Sequence, residues 1–157
     1  MNRVVDGIYY DVLIAENLNT QEEVIAHIAD YLKEKDFVND QYAAATIARE
    51  RVFPTGLNTK PIGIAVPHSE AENVLRPAVI LCICKNPVEF YTMENNQTKI
   101  EAGVIFLLAL KGENKHLNYL KNIVNYCKYE ENLEALYHVA SKEEAQQIFM
   151  SKILQLG

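Results

Sequence analysis

The chain has few of the features that mark membrane, secreted or disulfide-stabilised proteins. Its longest apolar stretch, residues 102–110, is less than half of the roughly 20 residues that span a bilayer. It has only three cysteines, and two of them, Cys82 and Cys84, lie in one apolar run, so no disulfide framework is indicated. The first residues contain no apolar signal region. We therefore expect a cytoplasmic protein with reduced thiols and no membrane insertion.

Positive charge is also scarce, and it is scattered. The chain has 15 Lys and Arg against 21 Asp and Glu, a formal net charge of −6, with no basic stripe. Because phosphate backbones are bound by concentrated positive charge, nucleic acid is not expected as a partner. The 157 residues are 49% hydrophobic and 23% charged, as in ordinary globular proteins, and contain no repeat or linker-like tract. We expect residues 1–157 to form a single domain.

Helices are indicated by capping signals and by apolar periodicity. Two capping boxes, in which Thr or Ser is followed three residues later by Glu, mark helix starts at Thr20 and Ser141. Apolar residues at helical spacing predict further helices between them. The predicted helices cover residues 20–35, 42–52, 131–138 and the segment after Ser141, and one more begins at Asn114.

Short apolar runs of strand length alternate with these helices. They cover residues 8–12, 63–66, 78–84 and 104–110, with a possible separate edge strand at residues 88–91. Interleaved strands and helices are typical of α/β proteins. We therefore predict an α/β layered sandwich, with a central mixed sheet of four to five strands and helices on both faces.

The segment Gly63-Ile64-Ala65-Val66-Pro67-His68 is the strongest candidate for a functional site. Pro67 ends the predicted strand because it has no N–H to donate, so His68 lies just beyond the carboxyl end of a strand. Open α/β sheets tend to bind ligands at that edge. A neutral imidazole is a nucleophile near pH 7, since its ordinary pKa is about 6.5. By itself, His68 could still be an ordinary loop side chain.

Three motifs in order resemble the type-2 enzyme IIA domain of the bacterial phosphoenolpyruvate-dependent sugar phosphotransferase system, the fructose and mannitol superfamily. They are Ala48-Arg49-Glu50, Phe53-Pro54-Thr55-Gly56 and the segment that ends at His68. The Pro-Thr-Gly turn, together with an acidic residue at Glu70, is most similar to the galactitol-type branch. Ser69 departs from the pattern, because many members carry Gly at that position.

The resemblance implies a phosphoryl-transfer role for His68. It would accept a phosphoryl group from the phosphocarrier HPr, on either ring nitrogen, and pass it to a cysteine of enzyme IIB, which serves the membrane enzyme IIC. No cofactor and no metal are implied, and a galactitol-like sugar or sugar alcohol is expected. The alternative is a regulator, in which phosphorylation of His68 changes binding to a target protein and no sugar is moved.

Other residues are expected to support His68. Arg49 offers a planar fork of donors to phosphate oxygens, whereas Arg51 lies about 200° further around the helix and faces elsewhere. His116, near a helix start, matches the family's second active-site histidine. Thr55 either donates its hydroxyl to phosphate or satisfies the local backbone.

Two acidic residues follow the histidine. Glu70 and Glu72 are expected to contact a basic partner or to orient the imidazole, with simple solvation of the loop as the alternative. The segment His68-Ser69-Glu70 also matches half of a zinc-deaminase signature. The required P-C-x-x-C half is absent, which disfavours a zinc site.

Overall fold

A five-stranded mixed sheet forms the centre of the computed structural model, which describes residues 3–112 and 115–156. The strands are β1 (Val4–Val5), β2 (Ile8–Ala15), β3 (Gly63–Ala65), β4 (Ala78–Tyr91) and β5 (Lys99–Ala109). Their order in the sheet is β1-β2-β4-β5-β3. β1 is antiparallel to β2, β2 parallel to β4, β4 antiparallel to β5, and β3 parallel to β5.

Five α-helices are found in this part of the chain. They are α1 (Gln21–Glu34), α2 (Tyr42–Val52), α3 (Lys115–Cys127), α4 (Glu130–Tyr137) and α5 (Lys142–Gln147), the last continuing into a π-helical turn (Ile148–Ile153). Both capping boxes are confirmed, since the side-chain oxygens of Thr20 and Ser141 accept the N–H groups of Glu23 and Glu144 at 3.1 Å. Asn114, the expected start of α3, lies outside the described residues. No helix within the described ranges is long and apolar enough to cross a membrane.

Two apolar cores lie on opposite faces of the sheet, because successive side chains along a strand point to opposite sides. Leu81 of β4 and Phe106 of β5 pack in one core, together with side chains of α3, α4 and α5. Their neighbours Ile80 and Leu107 pack in the other core, with side chains of α1 and the start of α2. Helices therefore cover both faces, which confirms the predicted fold class.

The expectation of a separate strand at residues 88–91 is wrong, because this segment is the last part of β4. It pairs with β5, and it extends beyond the pairing of β4 with β2, which covers residues 78–84. The pairing register shifts between Ile83 and Val88, and Pro87 occupies this irregularity. A bulge leaves residues outside the ladder, so a proline there removes no required hydrogen bond.

Asp11 is a buried carboxylate that joins several elements at the β2 side of the sheet. It is 2% exposed and forms ion pairs with Arg3 Nε at 3.0 Å and Lys142 Nζ at 3.6 Å. It also accepts hydrogen bonds from the hydroxyl of Tyr31 and from the N–H of Val12. Burial by itself would raise the pKa of Asp11, but these hydrogen bonds and the charge of Lys142 outweigh it and lower the pKa.

We expect Asp11→Asn to lower the free energy of unfolding by about 2 kcal/mol at pH 7, because a hydrogen bond to a charged group contributes about 1.5–3 kcal/mol. A lowered pKa in the folded state adds stability above the ordinary carboxyl pKa and loses it as the pH falls through the folded value. Urea unfolding between pH 7 and pH 2 should therefore show the two proteins converging below about pH 4.

The matched control for this substitution is Asp30→Asn, which changes an exposed aspartate on α1. We expect it to alter the free energy of unfolding by less than about 0.5 kcal/mol. Equal effects of the two substitutions at pH 7 would contradict a special role for Asp11.

Candidate functional site

The parallel pairing of β3 with β5 brings two histidines to one edge of the sheet, because the carboxyl ends of parallel strands lie together. The pairing continues past β3, since the N–H of Leu108 donates to the carbonyl of Pro67 at 3.0 Å. His68 follows directly, and His116 is the second residue of α3, the helix that follows β5. The centroids of the two imidazole rings are 4.8 Å apart.

Helix α2 contributes Arg49 and an unusual buried face. Tyr42, Thr46 and Glu50 are spaced by four residues, so they share one side of the helix, and all three are buried. Arg49 lies beside Glu50 and lines the same cleft as His68. Arg51 is exposed and pairs with Glu22 on α1 at 3.2 Å, which confirms that the two arginines face different ways.

An open cleft of about 530 Å³ lies over the histidine pair. It is lined by residues of α2, of the segment after β3 and of the region around the start of α3: Arg49, His68, Ser69, Glu70, Ala71, Gly112, His116 and Leu117. The two histidines also border a smaller, mainly apolar pocket of about 90 Å³ with Met93 and Leu117. The imidazole of His68 thus has open space on one side and apolar surface on the other.

The hydrogen bonding of His68 distinguishes its two ring nitrogens. Nδ1 lies 2.9 Å from the carbonyl oxygen of Val66. A carbonyl can only accept, so Nδ1 carries the hydrogen and Nε2 keeps a lone pair.

The pKa of His68 is lowered, which favours the neutral, nucleophilic form at pH 7. Burial is the largest cause, and the charge of Arg49 acts in the same direction. The hydrogen bond to Val66 and the charge of Glu70 oppose it without reversing it.

Arg49 has donors available for an anion in the cleft. Its Nη1 pairs with Oε1 of Glu70 at 3.0 Å, and its guanidinium carbon lies 5.3 Å from the ring centroid of Phe53. Its Nε is buried and has no hydrogen-bond partner among the described residues. A guanidinium that is held in place but incompletely paired is suited to binding phosphate oxygens.

Thr55 does not line the cleft. It is buried, its hydroxyl donates to Oε1 of Glu50 at 2.9 Å, and its oxygen accepts the N–H of Val66 at 3.0 Å. Its single hydroxyl proton is therefore committed to Glu50, and its oxygen satisfies a backbone N–H. The local-backbone alternative describes its position.

The two acidic residues after His68 are placed differently. Glu70 lines the cleft through its ion pair with Arg49, and its side chain is 79% exposed. Glu72 is also exposed, on a short 3₁₀ turn (Ala71–Asn73), and does not line the cleft. Only Glu70 is thus in contact with the groups around His68.

Two residues of α2, Thr46 and Glu50, support the site without being predicted from the sequence. The hydroxyl of Thr46 donates to Oγ of Ser69 at 2.9 Å, and both side chains are buried. Ser69 therefore faces α2 beneath the loop. Glu50 belongs to the Ala48-Arg49-Glu50 motif, and its spacing of four from Thr46 is the sequence signal that places both residues on one face of α2.

The described residues contain no group of three or more His, Cys, Asp or Glu side chains arranged to hold a metal ion. The groups that the cleft offers for chemistry include a nucleophilic imidazole, a guanidinium and a second imidazole.

Comparison with known proteins identifies the family. Residues 10–152 match the family model described as "Phosphoenolpyruvate-dependent sugar phosphotransferase system, EIIA 2". The chain belongs to this family. Members are phosphotransferases that operate through a phosphohistidine, so the chain is a component of a sugar phosphotransferase system.

Individual relatives carry the names of two sugar alcohols. The chain is 32% identical over 133 residues to the mannitol-specific phosphotransferase enzyme IIA component of Enterococcus faecalis, covering 82% of this chain and 86% of the relative. It is 28% identical over 116 residues to the galactitol-specific EIIA component of Escherichia coli strain K12, covering 74% and 77%.

A solved structure extends the likeness to the fold. The crystal structure of IIA mannitol from Escherichia coli matches with a TM-score of 0.72 and 26% identity, covering 88% of this chain and 94% of that chain. The expected relationship to the type-2 enzyme IIA family is confirmed by sequence and by fold.

In this enzyme IIA site, Arg49 and Glu70 act on the pKa of His68 in opposite directions. We expect Arg49→Met to raise the pKa of His68, because it removes a positive charge, and Glu70→Gln to lower it, because it removes a negative one. An NMR titration of the ¹⁵N-labelled imidazole measures both values. Arg51→Met is the control and should leave the pKa of His68 unchanged, since Arg51 faces α1. Shifts of the same sign in the Arg49 and Glu70 variants would contradict this electrostatic description.

Proposed function

We propose that His68 is the phosphohistidine of this enzyme IIA, and that Nε2 carries the phosphoryl group. The hydrogen bond between Nδ1 and the Val66 carbonyl is the observation that supports this most directly, because it leaves Nε2 as the ring nitrogen with a lone pair. The lowered pKa keeps that lone pair available at pH 7. The cleft also gives a phosphoryl donor an open approach to His68.

The transfer step follows from these groups. The Nε2 lone pair attacks the phosphorus of phosphohistidine on HPr; a new N–P bond forms as the donor's N–P bond breaks, and the electron pair returns to the donor imidazole. Little covalent chemistry is left to the protein, so positioning and charge stabilisation dominate the barrier. Arg49 supplies donors to the equatorial oxygens. His116, whose ring centroid is 4.8 Å from that of His68, lines the same cleft and supplies a second imidazole beside the transferred group.

The rim of the cleft fits a protein partner. Leu117, which lines the cleft, is 69% exposed, and Phe53, whose ring lies against the Arg49 guanidinium, is 60% exposed, so both offer apolar contact area near the site. Glu70 and Glu72 add negative charge near His68 and would attract a basic surface of HPr, increasing the rate of a short-lived encounter.

The acceptor is a cysteine of a cognate enzyme IIB, which feeds the membrane enzyme IIC that takes up a sugar alcohol of the galactitol type. The Pro-Thr-Gly turn and the 28% identity to a galactitol-specific relative support this choice. The regulatory alternative uses the same phosphohistidine and differs only in that no cysteine receives the phosphoryl group.

Incubation with phosphoenolpyruvate, enzyme I and HPr should add one phosphoryl group to the protein, in an acid-labile and base-stable linkage. The site is mapped by tandem mass spectrometry at neutral pH and by ³¹P NMR. We expect His68→Gln to abolish the addition, because it removes the nucleophile. His138→Gln, an exposed histidine on the surface, is the control that should be phosphorylated as the wild type is. A phosphoryl group that persists in the His68 variant would overturn the assignment.

Arg49→Met and His116→Gln should each slow phosphorylation by roughly 10²- to 10³-fold, the usual effect of removing one donor to developing charge. Quenched-flow measurement of phosphoryl transfer gives the rate, and circular dichroism checks the fold. Arg51→Met serves as the matched arginine control. Wild-type rates in both site variants would show that neither residue stabilises the transferred group.

The acceptor is tested with purified enzyme IIB proteins of the galactitol and mannitol systems of Escherichia coli. We expect the phosphorylated chain to lose its label to a cysteine of the galactitol protein, and cysteine-to-serine substitution in that protein should prevent the transfer. Transfer only to the mannitol protein would reassign the sugar. Retention of the label with both proteins would favour the regulatory alternative.

A further inference from the structure

A buried hydrogen-bonded chain runs from α2 to the imidazole of His68. Glu50 is 2% exposed, and its carboxylate accepts the N–H of Thr55 at 2.8 Å and the hydroxyl of Thr55 at 2.9 Å. The oxygen of Thr55 accepts the N–H of Val66 at 3.0 Å, and the carbonyl of Val66 accepts Nδ1–H of His68 at 2.9 Å. These hydrogen bonds, together with the backbone of Val66, therefore connect Glu50 to Nδ1 of His68.

The direction of these hydrogen bonds is set by the carboxylate. An ionised carboxylate only accepts, so the single proton of the Thr55 hydroxyl points to Glu50, and its lone pairs are left for the N–H of Val66. That N–H and the carbonyl of the same residue lie on the two sides of one α-carbon. Fixing the N–H, together with the rigid ring of Pro67 and the bond from Leu108 to the Pro67 carbonyl, therefore fixes the orientation of the Val66 carbonyl.

From these contacts we infer that Glu50 and Thr55 are positioning residues, which act through the Val66 peptide to hold His68 in the tautomer that leaves Nε2 unprotonated. The inference rests on the proposed function insofar as Nε2 is the attacking atom. A buried acid is costly unless it is hydrogen-bonded, and here the partners of Glu50 lead to His68. Burial raises the pKa of Glu50 to about 7, against the hydrogen bonds from Thr55 and the charge of Arg49.

The test compares Thr55→Val, which keeps the shape and removes the hydroxyl, with Thr55→Ser, which keeps the hydroxyl. ¹⁵N chemical shifts of His68 are recorded at pH 8, where the imidazole is neutral and the Glu50 carboxylate is the major form. The wild type and Thr55→Ser should show Nδ1 protonated and Nε2 unprotonated. In Thr55→Val the two nitrogens should approach each other in shift, because both tautomers are populated.

Kinetics provides the second measurement. Phosphorylation by HPr should slow by roughly 10- to 100-fold in Thr55→Val, the size of effect known for groups that orient metal-binding histidines, and Thr55→Ser should restore it. Glu50→Gln provides an independent variant if Thr55→Val does not fold, since the amide donates to the Thr55 oxygen and competes with the N–H of Val66. It should shift the tautomer population in the same direction.

The matched control is Thr46→Val, which removes the hydroxyl of another buried threonine, on α2 one turn before Glu50. Thr46 contacts Ser69 and not the Val66 peptide, so its variant should keep the wild-type tautomer. A folded Thr55→Val or Glu50→Gln protein with the wild-type tautomer and rate would overturn the inference. Because the tautomer is read without phosphorylation, a wild type that HPr cannot phosphorylate refutes the proposed function and leaves this test intact.

Discussion

The parallel pairing of β3 with β5 is the constraint on which the site depends. It carries the chain through Pro67 to His68 at the same edge where β5 leads into α3, so two segments distant in sequence present their imidazoles together. Everything else in the site is arranged around this edge. The cleft and the apolar pocket under the rings lie at this edge, and α2 brings the guanidinium of Arg49 into the same cleft.

Helix α2 shows how a protein core can serve a site without being apolar. Its buried face consists of Tyr42, Thr46 and Glu50, whose polar atoms are used to hold the loop around His68 from both sides. Such a face costs free energy unless its groups are paired. Here the pairing reaches two points of the segment around His68, the N–H of Val66 through Thr55 and the hydroxyl of Ser69, and these contacts offset the solvation cost.

The sequence predicted those features whose causes are local. The capping boxes at Thr20 and Ser141 and the strand that ends at Pro67 depend on neighbouring residues, and they were located correctly. The continuation of β4 through Pro87 cannot be predicted from neighbouring residues, because the irregularity that accommodates the proline exists only in the pairing with β5. The position of Thr55 is likewise not decided by its neighbours, because its acceptor Glu50 is close along the chain whereas the N–H that it accepts belongs to Val66, beyond β3.

The short β3 has a further consequence for the lifetime of the assembled site. It has three residues at the edge of the sheet, with β5 on one side and only Leu57 bridged to it on the other. Its residues are nonetheless fully buried, because Ile64 belongs to one apolar core and Ala65 to the other. The strand is therefore held mainly by packing against both cores rather than by a long ladder of hydrogen bonds. Separation of His68 from His116 would disturb both cores, so the persistence of the reactive geometry is coupled to the stability of the whole fold.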